Sequence, residues 1–496
     1  MESGLLFPLH RPGDPAVSLR FRRAKIVSTI GPASLSPEVF RAVVAAGTDA
    51  VRINFSHASH AQATEIFSLA RGEVQRTGRP LAVIADLQGP RIRVGDLPSP
   101  LTIRSGETYC LIPETDRSAS QLPAERVIPT TYSGLAADLS PGDRVLLDDG
   151  RLELSVEEIR AQQVIVVAES DGQLTSQKGI NLPGVDVQAP GLTEKDREDL
   201  RFAQGHDVEY VALSFVRRAE DVREAREILT GDTLLISKVE KDQALDRLSE
   251  ILEPSHAVMV ARGDLGVELP FEDVPLAQKR IIHQAVERAR PVITATQMLD
   301  SMTSHARPTR AEVSDVANAL LDGTDAVMLS GETAAGEFPV EAVEAMDRII
   351  RRIEAEGRGL LARVARPSAR RRAEIQQTTS GAVAAASVQA VERLNAPFIC
   401  TFTRSGFTAR VVSAQRPPVP ILALSDQPGT FNQLALVWGV QPVLFRGEVG
   451  YESMLEYARK EALERGFGEA GEHFIVTAGV PFHQPGTTNM MRIEEL

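Results

Sequence analysis

One short run, Leu235-Ile236-Ser237-Lys238-Val239-Glu240, sets a cation and a carboxylate on an otherwise apolar segment. Side chains two apart on a strand share a face, so Lys238 and Glu240 point the same way. A second apolar run, 257–261, ends in Arg262-Gly263-Asp264, and a third, 291–295, ends in Thr296-Gln297. Glu240 and Asp264 are hard oxygen donors of the kind Mg2+ or Mn2+ takes, with substrate oxygens and waters completing the shell. The Lys238 ammonium is a compact point charge suited to a phosphoryl group in flight or a developing enolate. The bland alternatives are a structural Lys238–Glu240 salt bridge and surface ion-pairing of the two acids.

Other residues extend the same chemistry. Arg262-Gly263-Asp264 reads as the start of a short helix, where free N–H groups hold a carboxylate and glycine permits close approach. Thr296 would face that same acid, although a lone threonine is ordinary packing. In Arg52-Ile53-Asn54-Phe55-Ser56-His57 the period of two puts Arg52, Asn54 and Ser56 on one face. Arg52 is a phosphate clamp by type, and Asn54 and Ser56 offer oxygens. His57 by itself reads as a structural histidine. Asp86-Leu87-Gln88-Gly89-Pro90-Arg91-Ile92-Arg93 adds one more carboxylate and two guanidinium groups.

These residues need a frame that gathers strand ends. Short β-type runs at 25–30, 50–54, 81–86, 209–214, 234–239, 257–261, 291–295 and 325–329 alternate with helix-length segments. Eight such strands close a parallel (β/α)8 barrel, whose active sites lie at the C-terminal rim. The expected organisation is a tail at 1–20, a barrel at 21–94 and 191–362, a linker at 363–375 and a C-terminal open-sheet α/β domain at 376–496. Between the third and fourth strands, 95–190 holds short alternating runs split by Pro141-Gly142-Asp143, Asp149-Gly150 and Asp171-Gly172, the texture of a small all-β domain. An insert leaving the barrel there is placed to act as a lid. Strands are expected at 397–401, 419–424, 442–445 and 473–477, and a helix at 340–363.

Composition removes several classes. The 496 residues are 43% apolar and 24% charged, as in ordinary globular proteins. A net charge of −13 argues against nucleic-acid binding, which needs a basic footprint. The basic run at 363–372 therefore reads as a solvated linker rather than an RNA patch. Two distant cysteines, Cys110 and Cys400, fit a reducing cytoplasm better than a disulfide framework. No apolar run is long enough to span a membrane, and 1–20 lacks the layout of a signal peptide.

From residue 25 to the C-terminus the chain resembles the pyruvate kinase family. The carriers are Lys25-Ile26-Val27-Ser28-Thr29-Ile30-Gly31-Pro32, the 52–57 run, Ser237-Lys238-Val239-Glu240, Val260-Ala261-Arg262-Gly263-Asp264-Leu265-Gly266 and Thr294-Ala295-Thr296-Gln297-Met298-Leu299. Asp322-Gly323-Thr324-Asp325-Ala326-Val327-Met328-Leu329-Ser330-Gly331-Glu332-Thr333 completes the set. The resemblance implies a barrel with a β lid and a C-terminal regulatory domain, and transfer of the phosphoryl group of phosphoenolpyruvate to ADP. It assigns Glu240 and Asp264 to Mg2+, Lys238 to the phosphoryl group and the enolate, and Arg52 to the phosphate. Gly263, Asp264 and Thr296 go to the substrate carboxylate, with Thr296 near the face where the enolate is protonated. Arg93, Lys178, His57 and Asn54 go to the nucleotide, Lys178 arriving from the lid. A homotetramer is implied as well.

One segment departs from that family. Where relatives read Asp-Thr-Lys-Gly-Pro-Glu-Ile-Arg, this chain has Leu87, Gln88 and Arg91 at the second, third and sixth positions. Relatives hold K+ among oxygens matching Asn54, Ser56, Asp86 and position 87, with the glutamate nearby. The expectation is that Arg91 supplies the positive charge there and that K+ is not required, since two like charges a few Å apart repel. In the C-terminal domain Thr403-Arg404-Ser405-Gly406-Phe407-Thr408 resembles the turn that binds an effector's phosphate in the family, with 482–489 as its other half. A Ser/Thr helix cap is the competing reading. For the whole chain, the rivals are an Mg2+-dependent enolate aldolase or lyase, and a catalytically silent metabolite-binding homologue.

Overall fold

The computed structural model describes residues 21–119, 122–356, 378–481 and 487–496. The expected tail at 1–20, the linker at 363–375 with its basic run, and residues 482–486 of the effector loop lie outside the described residues.

Eight parallel strands close into a ring in chain order: Lys25–Thr29, Ala50–Asn54, Ala82–Asp86, Tyr210–Leu213, Leu234–Val239, Ala257–Ala261, Val292–Ala295 and Ala326–Leu329, the last pairing with the first. Each expected strand is present, with ends shifted by at most one residue. The barrel interior is packed with apolar side chains, among them Val27, Ile84, Tyr210, Ile236, Met259 and Met328. Because strand side chains alternate, Thr29 sits one step along from Val27 on the same inward column. Arg52 likewise follows Ala50, Asp86 follows Ile84, Ser214 follows Ala212, and Lys238 follows Ile236. Five polar groups thus crown five apolar columns, which turns a strand pattern into a site at the rim.

Between the third and fourth barrel strands lies a separate, mostly antiparallel β unit. Its six-stranded sheet includes Arg144–Leu147, Leu152–Arg160 and Ile180–Asn181, and a two-stranded ribbon pairs Leu101–Ile103 with Gly172–Leu174. It has its own core, including Leu111, Ile128, Val145, Leu154 and Val166. The eighth strand is followed by a helix, Pro339–Glu356.

The C-terminal α/β unit has a five-stranded sheet. Val440–Leu444, Ile421–Ser425, Ile399–Phe402 and His473–Ala478 are parallel, and Met490–Glu495 joins His473–Ala478 antiparallel. That fifth strand was not expected. Its Arg492, Glu494 and Glu495 mask the alternation, and it stands at a sheet edge, where charge is tolerated. The unit rests on the N-terminal end of the barrel. Lys25 Nζ donates to Val440 O at 2.8 Å, Tyr210 Oη to Gln433 O at 2.9 Å, and Arg416 pairs with Asp325 at 2.9 Å. Among the described residues no helix is long and apolar enough to cross a membrane. Cys110 and Cys400 are buried and unbridged.

Candidate active site

The rim gathers one charge network. Lys238 Nζ lies 2.9 Å from Glu240 Oε1 and 3.3 Å from Asp86 Oδ1, and donates to Ser214 Oγ at 2.7 Å. Arg52 Nε donates to Asp86 Oδ2 at 2.6 Å, and its Nη1 to Thr29 Oγ1 at 3.1 Å. Burial opposes charge on Lys238, but Asp86 and then Glu240 outweigh it and hold the ammonium above its ordinary pKa. Burial also opposes charge on Asp86. There Lys238 and Arg52 win, so its carboxyl sits below the usual range.

Glu240 behaves differently. Burial raises its pKa and the nearby Asp264 carboxylate raises it further, against the pull of Lys238. One oxygen accepts the Phe215 N–H at 2.6 Å, while the buried Oε1 has no hydrogen bond of good geometry. Two acids within electrostatic reach, with Glu240 Oε1 facing only the Lys238 ammonium, suit a divalent cation. Among the described residues no third His, Cys, Asp or Glu joins them. Such a donor set leaves most of the shell to substrate and water, as Mg2+ favours.

Asp264 lies in the first turn of a short helix, Arg262–Glu268. The expected free N–H of Gly263 is engaged: it donates to Thr296 Oγ1 at 2.8 Å. Thr296 and Gln297 both have left-handed backbones, with φ of 68° and 54°. A β-branched residue there is strained, and such strain gathers at functional sites. Arg262, which the sequence reading passed over, holds the turn. Its guanidinium donates to Ala295 O at 3.2 Å and Thr296 O at 2.6 Å, and pairs with Asp315 at 2.7 Å. Ser214 was also missed. It accepts from Lys238 and donates to Leu87 O at 2.8 Å. Its position at the end of the fourth strand run was the available signal.

A second group stands at the junction with the inserted β unit. Arg91 pairs with Asp149 at 2.7 Å, Lys178 with Asp148 at 2.7 Å, and Arg93 Nη1 donates to Gln177 O at 2.9 Å. Burial, then the neighbouring Arg91, lowers the Arg93 pKa. Arg91, expected beside Asn54, Ser56 and Asp86, takes Asp149 of the inserted β unit as its ion-pair partner, while the oxygens of Asp86 serve Arg52, Lys238 and Ser214. A correction concerns the 52–57 face. The strand stops at Asn54, whose Oδ1 accepts the Ser56 N–H at 3.1 Å, so the period of two does not carry to Ser56. Ser56 and His57 are exposed, and Leu87 is buried.

In the C-terminal unit, Thr403 to Gly406 form a turn into the helix Phe407–Ala414. Its N-cap is Gly406, at φ 74°, with no side-chain cap bond, so the Ser/Thr cap reading fails. Thr408 Oγ1 lies 2.9 Å from Thr488 Oγ1, which joins the turn to residues 487–489.

Comparison with known proteins agrees with this arrangement. The family description "Pyruvate kinase, barrel domain" matches residues 21–343, and "Pyruvate kinase, alpha/beta domain" matches 381–494. A pyruvate kinase of Mycobacterium intracellulare is 43% identical over 480 residues, covering 96% of this chain and 98% of the relative. One of Methylorubrum extorquens is 40% identical over 475 residues, covering 96% and 97%. Pyruvate kinase 2 of Synechocystis is 43% identical over 482 residues, covering 95% and 79%. With family models matched over 21–343 and 381–494 and relatives matched over nearly the whole chain, the chain belongs to the pyruvate kinase family of phosphotransferases.

Proposed function

We propose that this chain transfers the phosphoryl group of phosphoenolpyruvate to ADP, giving pyruvate and ATP, with one Mg2+ or Mn2+ held by Glu240 and Asp264. The observation that carries the reading is Lys238 set between Asp86 and Glu240 at the head of a barrel column. Phosphoryl transfer is mostly positioning and neutralisation of charge. Arg52, fixed by Asp86, grips the migrating phosphate, and Lys238 stabilises that group and then the enolate oxygen. Held by Glu240 and Asp264, the divalent ion would neutralise negative charge on the substrate and the migrating phosphate. Gly263, Asp264 and Thr296 surround the substrate carboxylate. The Gly263 N–H turns from Thr296 Oγ1 to that carboxylate, leaving the threonine hydroxyl beside the face where the enolate gains its proton. Arg93, Lys178, His57 and Asn54 approach the nucleotide. In this reading 21–94 with 191–362 carry catalysis, 95–190 acts as lid, and 376–496 serves regulation.

Several finer points belong to the same reading. Turnover proceeds without K+: Asp86 is already matched by two cations, and Arg91 adds a fixed charge from its Asp149 pair. The turn 403–408 takes a phosphorylated effector, a sugar phosphate or AMP. A homotetramer would cover Phe271 and Leu276, which stand 84% and 65% exposed near the Asp264 helix. The unbridged cysteines are consistent with the cytoplasm.

The test is a lactate dehydrogenase-coupled assay with phosphoenolpyruvate, ADP and Mg2+, repeated with excess EDTA. Pyruvate formation that needs both ADP and the divalent ion is expected. Pyruvate released without ADP would point to a lyase, and no turnover to a silent homologue.

A further inference from the structure

We infer that Asp148, on a hairpin of the lid, is a positioning residue: it orients the Lys178 ammonium for the phosphates of the nucleotide. The inference rests on the assignment of Lys178 to the nucleotide above, and gives that lysine a partner and a mode of control.

The hairpin joins strands Arg144–Leu147 and Leu152–Arg160. Asp148 and Asp149 are both left-handed, at φ 51° and 54°, and Gly150 follows at 83°. Consecutive non-glycine residues in that region are uncommon, and surrounding structure must hold them. Here the Asp148 N–H donates to Gly179 O at 3.1 Å, and Ile180 pairs with Leu147, so the hairpin is fastened to the residues just after Lys178. The carboxylates then point at cations: Asp148 at Lys178, Asp149 at Arg91, both at 2.7 Å.

The two pairs differ in burial. The Asp148 side chain is 13% exposed and that of Asp149 64%. A long lysine stem wanders unless something holds its head. A mostly buried carboxylate on a rigid turn does so, and one of three ammonium donors suffices. The other two remain for phosphate oxygens, since the Lys178 side chain is still 40% exposed. At the tip, a Cβ placed on Gly150 would lie 3.6 Å from Val267, on the helix that carries Asp264. The hairpin tip therefore lies beside the helix that carries Asp264 while its base holds Lys178.

Asp148→Asn, Lys178→Ala and the double variant test this, with mant-ADP titration and steady-state kinetics. Asparagine tolerates the left-handed backbone, and Asp148→Glu restores a carboxylate one methylene further out. Expected are a rise of about tenfold in the KM and Kd for ADP in Asp148→Asn, an unchanged KM for phosphoenolpyruvate and partial recovery in Asp148→Glu. The double variant should match Lys178→Ala alone. Multiplying losses in the double variant, a parallel rise in the phosphoenolpyruvate KM, or no change in Asp148→Asn would overturn the inference while leaving Lys178 in place. An unchanged ADP KM in Lys178→Ala would instead remove the Lys178 assignment, and the inference with it.

Discussion

Two lysines sit on inward columns of the same barrel, at opposite ends. Lys238 crowns the fifth strand and Lys25 begins the first, and both are buried. Their pKa values move in opposite directions. Lys238 is held above the ordinary value because Asp86 and Glu240 outweigh burial. Lys25 is brought down to about 8, because burial outweighs a more modest contribution from Asp49 and the nearby Arg22 works against it. Burial alone therefore does not say what a buried lysine is for. The rim has carboxylates in place before any substrate arrives, the mark of a site preorganised for charge. The foot has a carbonyl, Val440 O, and serves to join two domains.

The sharpest way to break this contrast is to remove each ammonium. Lys238→Met is expected to lower kcat by about 10^3-fold or more in the coupled assay, as loss of a group that stabilises transition-state charge. Lys25→Met should leave kcat within about twofold. Comparable losses in both would mean that the two ends do not differ in role.

The second effect is on stability and has a defined pH window. The folded-state pKa of Lys25 lies near 8 and the unfolded value near 10.5. Between these the unfolded chain binds more protons, so this group makes stability rise with pH across the window. Below about pH 8 its cost is felt in full. Lys25→Met should thus be more stable than the parent at pH 7, on the order of 2 kcal/mol after allowing for the lost hydrogen bond. Its advantage should fade as pH approaches 10.5. Thermal melts of both proteins at pH 7 and pH 10 would show it, and a gap that widens with pH would reverse the argument.

The smallest effect concerns the rim's own charge balance. Activity in tetramethylammonium buffer should change by less than about twofold on adding KCl, and Arg91→Glu should create a K+ requirement. Activation of tenfold or more in the parent, about 1.4 kcal/mol, would show that Arg52, Lys238 and Arg91 leave a monovalent site unfilled.

Much of this was legible from the chain because period-two alternation is strict. Once 234–239 is a strand, Lys238 and Glu240 share a face with Ile236, and the observed 2.9 Å pair follows. The pattern fails where the strand stops, as at Asn54, whose Oδ1 accepts the Ser56 N–H. It is also silent about partners far along the chain. Arg262 looked like a helix start, yet its work is on Thr296, 34 residues on. Arg91 was expected beside Asp86, its neighbour in sequence, but bonds to Asp149 across the lid. Such pairings depend on how the inserted unit folds back, which no local spacing encodes.

The stretch from Asp86 to Arg93 has one more consequence. It begins at the Arg52–Lys238 network and ends in the lid, where Arg93 bridges to Gly179 and Val94 N–H donates to Lys178 O. The stretch that ties the inserted β unit to the barrel is thus also the strap that bears Arg91 and Arg93. Were that unit to close as proposed, it would drag these charges along and pull on the aspartate anchored below. Swivel and catch are one piece of chain, so a hinge lesion here would register as faulty chemistry rather than as slackness.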